Sequence, residues 1–328
     1  MKTNLTHHLA CLAAGLLGGA TAIANAAAPP DEIVIQGENV FPESMTSAPD
    51  GSVIFGSIGN REIYRAKPGS ATAETWIKPG TGGILSIFGV FADPKSNTLW
   101  ACSSTPAFGP PRPGAPPPAA ASLHAFDLKS GTPKGSYPFP TAGSLCNDIA
   151  VDSAGNAYAT DSLNMEIVRL KKGAKTLEVW AGKGAFGPKG GILDGISVLD
   201  HRVLVNALGT SKLFSVPIGT GGKAGEVAEV SLDRPISRPD GMRSFGTDQL
   251  LIIEGGNGGR LSKITMDGNT GRVQTVKEGF PDGPVAVTVV GTTAYVVEGQ
   301  LSAMMRRPGT AAPAPKPFKA TAVEVGRP

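Results

Sequence analysis

Six stretches of the chain repeat one pattern: an entry turn, a short apolar strand, an Asp/Gly-type turn and a second strand that ends on small or acidic residues. The copies begin at Phe41, Phe88, Cys146, Leu193, Pro239 and Pro281. Their starts are roughly 40 to 60 residues apart, the period of four-stranded propeller blades rather than of helical repeats. The sequence therefore predicts an all-β fold, a six-bladed β-propeller of four-stranded antiparallel blades.

Further short segments with alternating apolar residues follow each copy and supply the third and fourth strands of each predicted blade. No boundary is evident after the N-terminal region, so residues 27–328 are expected to form a single propeller domain. The Pro/Ala-rich segments 106–121 and 310–317 cannot join a β-ladder and are predicted to be loops. A strand from either end of the domain, within 33–36 or 318–325, is expected to complete the last blade.

The N-terminus has the features of an export signal. A modestly basic lead precedes an apolar stretch over 9–24, and Ala24, Asn25 and Ala26 give the small-residue spacing of a cleavage site. We expect a signal peptide over 1–26, with the mature chain periplasmic or secreted. A membrane anchor is the alternative, but the stretch is Gly/Ala-rich and shorter than the roughly 20 residues that span a bilayer. No later segment predicts a membrane span.

The net charge bears on the class of partner, and the cysteine content bears on a possible disulfide. The net charge is only +3 and no Lys/Arg cluster occurs, which argues against nucleic acid. Cleavage after Ala26 leaves two cysteines, Cys102 and Cys146. They either form a disulfide, which an oxidising compartment would permit, or fill the core as small apolar residues. The sequence leaves both interpretations open.

The entry turns carry oxygen-bearing side chains that a propeller would bring to one axis: Glu43, Asn147, Asp148, Asp194, Asp240 and Asp282. Hard divalent cations bind several such oxygens, whereas carboxylates gathered without a cation would repel one another. The alternative is local, since Asp is also a common turn former. No serine-hydrolase or HExxH motif is present, and His124 and His201 are interpreted as a strand residue and a solvated turn residue.

These entry turns resemble the SMP-30/gluconolactonase/luciferin-regenerating-enzyme family of six-bladed propellers, which hold a divalent metal in the central channel. The resemblance rests on Glu43, on Asn-Asp at 147–148 followed by Val-Asp and Gly155, on Asp-Gly at 194–195 and on Pro-Asp-Gly-Met at 239–242. It implies metal binding by Glu43, Asp194 and Asp240. The chain departs from the family pattern at Asp194, where Asn is usual, and at Ile149, where Gly is usual.

The resemblance further implies a catalytic base at Asp240 and a catalytic, substrate-orienting amide at Asn147, with Asp148 assisting substrate binding. The expected activity is hydrolysis of a lactone or related ester, with the metal polarising the carbonyl. Oxygen ligands favour Ca²⁺, although the family pattern also admits Zn²⁺, Mg²⁺ or Mn²⁺. The alternative is a non-catalytic exported propeller that binds a small ligand, or a scaffold with a structural metal. The expected partner is a small-molecule substrate or ligand.

Overall fold

The computed structural model describes residues 1–2, 29–105, 121–182, 184–187, 190–256, 258–305 and 316–327. Nearly all of the predicted signal peptide, nearly all of the proline-rich segment 106–121, and residues 310–315 of the second predicted loop lie outside the described residues. Among the described residues, no helix has the length and apolar character needed to cross a bilayer.

The first half of the described chain consists of short strands: β1 Glu32–Ile35, β2 Pro42–Ser47, β3 Val53–Ser57, β4 Ile63–Ala66, β5 Thr72–Ile77, β6 Ser86–Asp93, β7 Thr98–Ser104, β8 Ser122–Asp127, β9 Pro133–Pro138, β10 Cys146–Val151, β11 Ala157–Asp161, β12 Glu166–Leu170 and β13 Glu178–Ala181. These elements confirm the predicted period-two strands at 53–55 and 157–160. One 3₁₀ turn, Thr81–Gly83, precedes β6.

The second half continues in the same way: β14 Leu193–Leu199, β15 Arg202–Ala207, β16 Lys212–Pro217, β17 Ala228–Glu229, β18 Ser231–Leu232, β19 Pro239–Phe245, β20 Gln249–Glu254, β21 Arg260–Asp267, β22 Thr270–Glu278, β23 Pro284–Val290, β24 Thr293–Glu298 and β25 Lys319–Glu324. A second 3₁₀ turn covers Thr220–Gly222, and the α-helix α1 has a single turn, Leu301–Met304. The described chain is therefore nearly all-β, as predicted.

Antiparallel four-stranded meanders are the basic unit of the fold. Three sheets have the orders β6-β7-β8-β9, β10-β11-β12-β13 and β14-β15-β16-β17. A fourth sheet contains the meander β19-β20-β21-β22, with β18 added parallel to β22. The fifth sheet has eight strands in the order β2-β3-β4-β5-β1-β25-β24-β23.

The eight-stranded sheet contains strands from both ends of the described chain. Strand β25 pairs antiparallel with β24, and β1 pairs antiparallel with β25 through Ile33 and Ala320. The other edge of β1 runs parallel to β5, with Val34 opposite Thr72. Both terminal strands that the sequence offered as alternatives therefore lie in the same sheet.

The first strands of the repeats lie side by side around a common centre. Contacts connect β2 to β6, β6 to β10, β10 to β14, β14 to β19, β19 to β23, and β23 back to β2. Buried apolar clusters fill the spaces between neighbouring meanders; Ile54 and Leu99 belong to one such cluster, and Tyr158 and Val203 to another. Burial of these sheet faces is the main stabilising contribution, at about 25 cal/mol for each Å² of apolar surface.

Each of these first strands begins with an irregular register against its second strand. The irregularities lie between Pro42 and Ser44, Ile87 and Val90, Cys146 and Ile149, Leu193 and Ile196, Pro239 and Met242, and Pro284 and Ala286. Bulges of this kind redirect side chains that a regular ladder would place on a sheet face. The entry-turn residues named from the sequence occupy four of these irregular positions.

Two neighbouring sheets are also linked covalently. Cys102 in β7 and Cys146 in β10 are joined by a disulfide, with their Cα atoms 5.1 Å apart. Both side chains are fully buried in the apolar cluster between these sheets. The two interpretations offered by the sequence, a disulfide and buried apolar residues, thus both describe this pair.

Candidate metal and active site

Three carboxylates from different sheets meet at the beginnings of the central strands. Glu43 lies in β2, Asp194 in β14 and Asp240 in β19. One carboxylate oxygen from each lies within 4.8 Å of those of the other two. Glu43 and Asp194 are buried and Asp240 is half-buried. We call these residues the acidic trio.

Glycine next to the acidic residue allows the central strands to come this close. A Cβ atom on Gly195 would lie 2.4 Å from the carbonyl oxygen of Asp240, closer than any side chain tolerates. Gly89 has the same role in β6, where a Cβ atom would lie 2.2 Å from the carbonyl oxygen of Asn147. The glycine of Asp194-Gly195 therefore has a packing reason, which is the close contact of neighbouring central strands, and Gly89 serves the same purpose after an uncharged residue, Phe88.

Asn147 lies beside the acidic trio, with a free acceptor. Its Nδ2 donates a hydrogen bond to Asp194 Oδ2 over 3.2 Å. Its Oδ1 is buried and has no hydrogen-bond partner in the described part of the chain. An orphaned buried oxygen is unfavourable unless something else satisfies it, and a cation or a substrate donor would do so.

Asp148 has a different environment, although it is adjacent in sequence. Its Oδ2 accepts hydrogen bonds from Arg243 Nη1 at 2.7 Å and from the backbone N–H of Ile196 at 3.2 Å. Asp148 is therefore one half of a buried ion pair and not a member of the acidic trio.

Asp282, the entry-turn aspartate of the sixth copy, does not join the acidic trio either. Its two carboxylate oxygens accept hydrogen bonds from Lys316 Nζ at 2.8 and 3.0 Å. Its backbone N–H donates to Glu298 Oε1 at 2.7 Å. This aspartate holds a turn and a neighbouring lysine, so the local interpretation of Pro-Asp-Gly applies at this position.

The electrostatics of the acidic trio follow from burial and mutual repulsion. Burial, followed by the charge of Asp148, raises the pKa of Asp194 from its ordinary value of 3.8 to about 7. Burial and the Asp194 carboxylate hold the pKa of Asp240 well above its usual range. Burial and the neighbouring carboxylates do the same to the pKa of Glu43, and the Arg243 guanidinium opposes this effect. The three groups together favour bound positive charge.

The donor set suits a hard divalent cation. Three carboxylates and the free amide oxygen of Asn147 supply only oxygen ligands, the type that Ca²⁺, Mg²⁺ and Mn²⁺ prefer. Neither histidine of the described chain adds a nitrogen ligand here. His124 is buried in β8 beside Phe126, and His201 is exposed in the turn before β15.

Three further residues support the site and were not singled out from the sequence. Asn206 is fully buried and its Nδ2 donates to the carbonyl oxygen of Asp240 at 2.6 Å. Thr160 Oγ1 donates to the carbonyl oxygen of Asp194 at 2.9 Å. Arg243 pairs with Asp148. A signal existed only for Arg243, because a charged residue inside a predicted central strand is unusual.

A separate cavity of about 480 Å³ lies at the opposite ends of the central strands β6, β10 and β14. Phe91, Val151 and Val198 line it from β6, β10 and β14, together with the following turns. The acidic trio and this cavity therefore lie at different ends of the central strands.

No known protein-family model matches the chain, and no curated protein matches it. Solved structures do match. A putative gluconolactonase is 13% identical, with 90% of this chain and 93% of its own covered and a TM-score of 0.64. A gluconolactonase from Xanthomonas campestris is 11% identical, with 89% of each chain covered and a TM-score of 0.62.

A lyase also matches in structure. A catalytically inactive histidine-to-alanine variant of virginiamycin B lyase from Staphylococcus aureus, determined with quinupristin, is 13% identical to this chain. The match covers 89% of this chain and 98% of the lyase, with a TM-score of 0.55. At such identities the likeness establishes the fold alone, which is a β-propeller.

Proposed function

We propose that this chain is a divalent-cation-dependent hydrolase that opens a lactone or a related ester at the acidic trio. The observation that carries the proposal is the meeting of Glu43, Asp194 and Asp240 oxygens within 4.8 Å of one another. Such a group is strongly disfavoured unless a cation or bound protons neutralise it. The gluconolactonases among the structural neighbours favour lactone chemistry over other hydrolyses.

We further propose that the propeller has six blades and forms a single domain over 27–328. The eight-stranded sheet then counts as two blades, β2–β5 and β23-β24-β25-β1, that share an edge pair. Support comes from the closed order of contacts among the six first strands and from the apolar clusters between neighbouring meanders. The acidic trio then lies at one mouth of the central channel.

Each residue has a distinct role in the proposed reaction. Glu43, Asp194 and Asp240 hold the cation, which when bound supplies Lewis-acid polarisation of the substrate carbonyl. Asp240 is the most exposed of the trio, so we assign to it the role of the base that accepts a proton from the attacking water. Water oxygen bonds to the carbonyl carbon, the ring C–O bond breaks, and the ring oxygen takes up a proton to give a hydroxy acid.

Asn147 orients the substrate in this scheme. Its amide is fixed by the hydrogen bond to Asp194, and its Oδ1 is free to accept from a substrate hydroxyl or to complete the cation's ligands. Asp148 contributes to substrate binding through its position next to Asn147. Its own carboxylate is committed to Arg243, so we assign it support of the site rather than chemistry.

The positions of the histidines favour hydrolysis over the chemistry of the virginiamycin B lyase found among the structural neighbours. In that neighbour, the variant in which one histidine is replaced by alanine is described as catalytically inactive. In the described part of this chain, His124 is buried in β8 and His201 lies in an exposed turn, away from the acidic trio. This arrangement supports carboxylate-based chemistry at the channel mouth.

We also propose that the mature chain is periplasmic or secreted. Support comes from the Cys102–Cys146 disulfide, because disulfides persist in oxidising compartments and are rare in reducing ones. Cell fractionation tests the location. Electrophoretic mobility of the fractionated protein, with and without a thiol-blocking reagent, tests the disulfide bond.

The central test is turnover of a panel of sugar lactones, alkyl lactones and aryl esters, before and after chelation. We expect hydrolysis that chelation abolishes and that Ca²⁺ restores best among Ca²⁺, Zn²⁺, Mg²⁺ and Mn²⁺. Asp240→Ala should lower kcat/KM by more than about a hundredfold, the scale of losing a metal ligand or base. Asp282→Ala is the matched control, since it removes an entry-turn aspartate outside the acidic trio.

The results also distinguish the alternatives. Asp240→Ala turnover equal to that of the unsubstituted protein would overturn the assignment of the site. A cation that raises the melting temperature, in a protein without turnover on any member of the panel, would instead support a scaffold with a structural metal.

A further inference from the structure

Arg243 lies in the central channel one layer deeper than the acidic trio. It follows Asp240 by three residues in β19 and is only 9% exposed. Its Nη1 donates to Asp148 Oδ2 at 2.7 Å and to the carbonyl oxygen of Met242 at 2.8 Å. A buried arginine of this kind is fixed in place by its hydrogen bonds.

The other end of the guanidinium reaches strands on the opposite side of the channel. Arg243 Nη2 donates to the carbonyl oxygens of Met45 in β2 and Val90 in β6, each at 3.2 Å. Ser44 Oγ is a longer acceptor at 3.4 Å. One side chain therefore connects β19, β10, β2 and β6.

These acceptors define where the guanidinium lies along the channel. Ser44 follows Glu43 and Asp148 follows Asn147, so both are one residue further along their strands than the mouth residues. On the far side, the Phe91 ring centre lies 5.9 Å from the guanidinium carbon, and Phe91 lines the separate 480 Å³ cavity. The guanidinium thus lies between the acidic trio and that cavity.

The charge count at this point is unusual. Four carboxylates lie near the mouth of the channel, namely the acidic trio and Asp148. Among the described residues, Arg243 is the one basic side chain that is hydrogen-bonded to any of them. Asp148 Oδ1 remains buried without a partner. Without the guanidinium, Asp148 would be a buried unpaired carboxylate, which requires neutralisation by a proton or by a cation.

We propose that Arg243 is a positioning residue that acts as a resident monovalent cation: it neutralises Asp148 and lowers the affinity of the acidic trio for a divalent ion. The inference rests on the proposed cation site. Its consequence is that the two members of the ion pair influence cation affinity in opposite directions, because one is a nearby positive charge and the other a nearby negative charge.

A double-mutant cycle on the folded full-length protein tests this, with Ca²⁺ as the probe. The dissociation constant and the number of ions are measured by isothermal titration calorimetry and by elemental analysis. Asp148→Asn leaves Arg243 uncompensated and should weaken Ca²⁺ binding by about tenfold, since it removes one negative charge close to the ion. Arg243→Met should strengthen binding by about tenfold for the opposite reason.

Two further variants separate charge from structure. The double variant Arg243→Met with Asp148→Asn should return to within about threefold of the original affinity, because the paired charges are removed together. Arg243→Lys keeps the charge and should retain the original affinity. Arg169→Met is the matched control: Arg169 is also buried and paired, with Glu178 Oε1 at 2.6 Å, but it lies in β12 outside the channel.

Arg169→Met is expected to destabilise the fold without changing the Ca²⁺ dissociation constant. Equal affinity in Asp148→Asn and the unsubstituted protein would overturn the inference, even if Arg243→Met did not fold. A protein that binds none of the divalent ions would overturn both this inference and the proposed function. Ca²⁺ binding without lactone turnover would overturn the proposed hydrolase alone, and the cycle would still decide the role of Arg243.

Discussion

Replacement of Asp194 by Asn should make the cation-free protein more stable while weakening its response to cations. Asp194 is 4% exposed and lies among Glu43, Asp240 and Asp148. The substitution removes one buried negative charge and keeps the shape of the side chain. The amide oxygen of Asn can still accept the hydrogen bond that Asn147 donates to Asp194.

The size of the effect follows from the raised pKa of Asp194. Burial, then the charge of Asp148, raises the pKa from 3.8 to about 7. The folded chain therefore binds more protons than the unfolded chain between these values, and the free energy of unfolding falls as pH rises through this range. Since a tenfold change in proton affinity equals about 1.4 kcal/mol, the full loss is on the order of 4 kcal/mol above about pH 7.

Urea unfolding with a chelator measures this directly. At about pH 8 we expect Asp194→Asn to be more stable than the unsubstituted protein by up to about 4 kcal/mol, and by much less at about pH 5. Excess Ca²⁺ should close this gap. A ligand at a thousand times its dissociation constant stabilises the folded state by about 4.1 kcal/mol, and the variant, which binds Ca²⁺ more weakly, should gain much less.

Asp282→Asn is the control, because it removes an entry-turn aspartate whose partner is the exposed Lys316. An ion pair of this type contributes about 0 to 1 kcal/mol, and we expect no change in the Ca²⁺ response. The reasoning is refuted if Asp194→Asn is less stable than the unsubstituted protein at about pH 8 with the chelator present. In that case the Asp194 carboxylate would be a structural acceptor rather than one of three repelling ligands.

Two further predictions concern the rest of the fold. Reduction of the Cys102–Cys146 bond, which spans a sequence separation of 44, should lower the free energy of unfolding by about 4 kcal/mol, and thermal melts with and without reductant measure this. The double substitution of both cysteines by Ala should be insensitive to reductant, and an equal response in both proteins would contradict the prediction. Burial lowers the pKa of His124 from 6.5 to about 4, so the unfolded chain binds the extra proton and the free energy of unfolding should fall as pH drops through this range. The fall in the free energy of unfolding should be about 3 kcal/mol. In urea titrations at several pH values, His124→Phe should remove this fall, whereas His201→Phe, at an exposed turn, should leave it in place. A pH profile that His124→Phe leaves unchanged would contradict the prediction.

The repeat made the fold accessible from the sequence. Alternating apolar residues and Asp/Gly turns are local signals, and the strands predicted at 250–253 and 294–297 lie within β20 and β24. The number of blades was harder to read. It depends on how β1 and β25 from opposite ends of the chain share one sheet, and no local pattern specifies that pairing.

The different partners of the acidic residues could not be predicted from the local sequence. Asn147 and Asp148 are adjacent, yet Asn147 bonds to Asp194 and Asp148 bonds to Arg243, which is 95 residues away. Asp240 and Asp282 both follow Pro and precede Gly, yet only Asp240 lies in the acidic trio. The difference depends on which groups the neighbouring strands present, and those strands are distant in sequence.

The position of Glu43 explains why the trio needs one longer side chain. Strand β2 contacts β6 and β23, whereas Asp194 and Asp240 lie on the adjacent strands β14 and β19 on the other side of the ring. The corresponding irregular positions on either side of β2 hold Phe88 and Gly89 in β6 and Val285 in β23, none of which is charged. Glu43 must therefore reach across the channel, and its extra methylene group, relative to aspartate, shortens that gap. The first strand of each repeat thus has a bulge at the same position. The site is nevertheless asymmetric, because each of these strands has a different residue there.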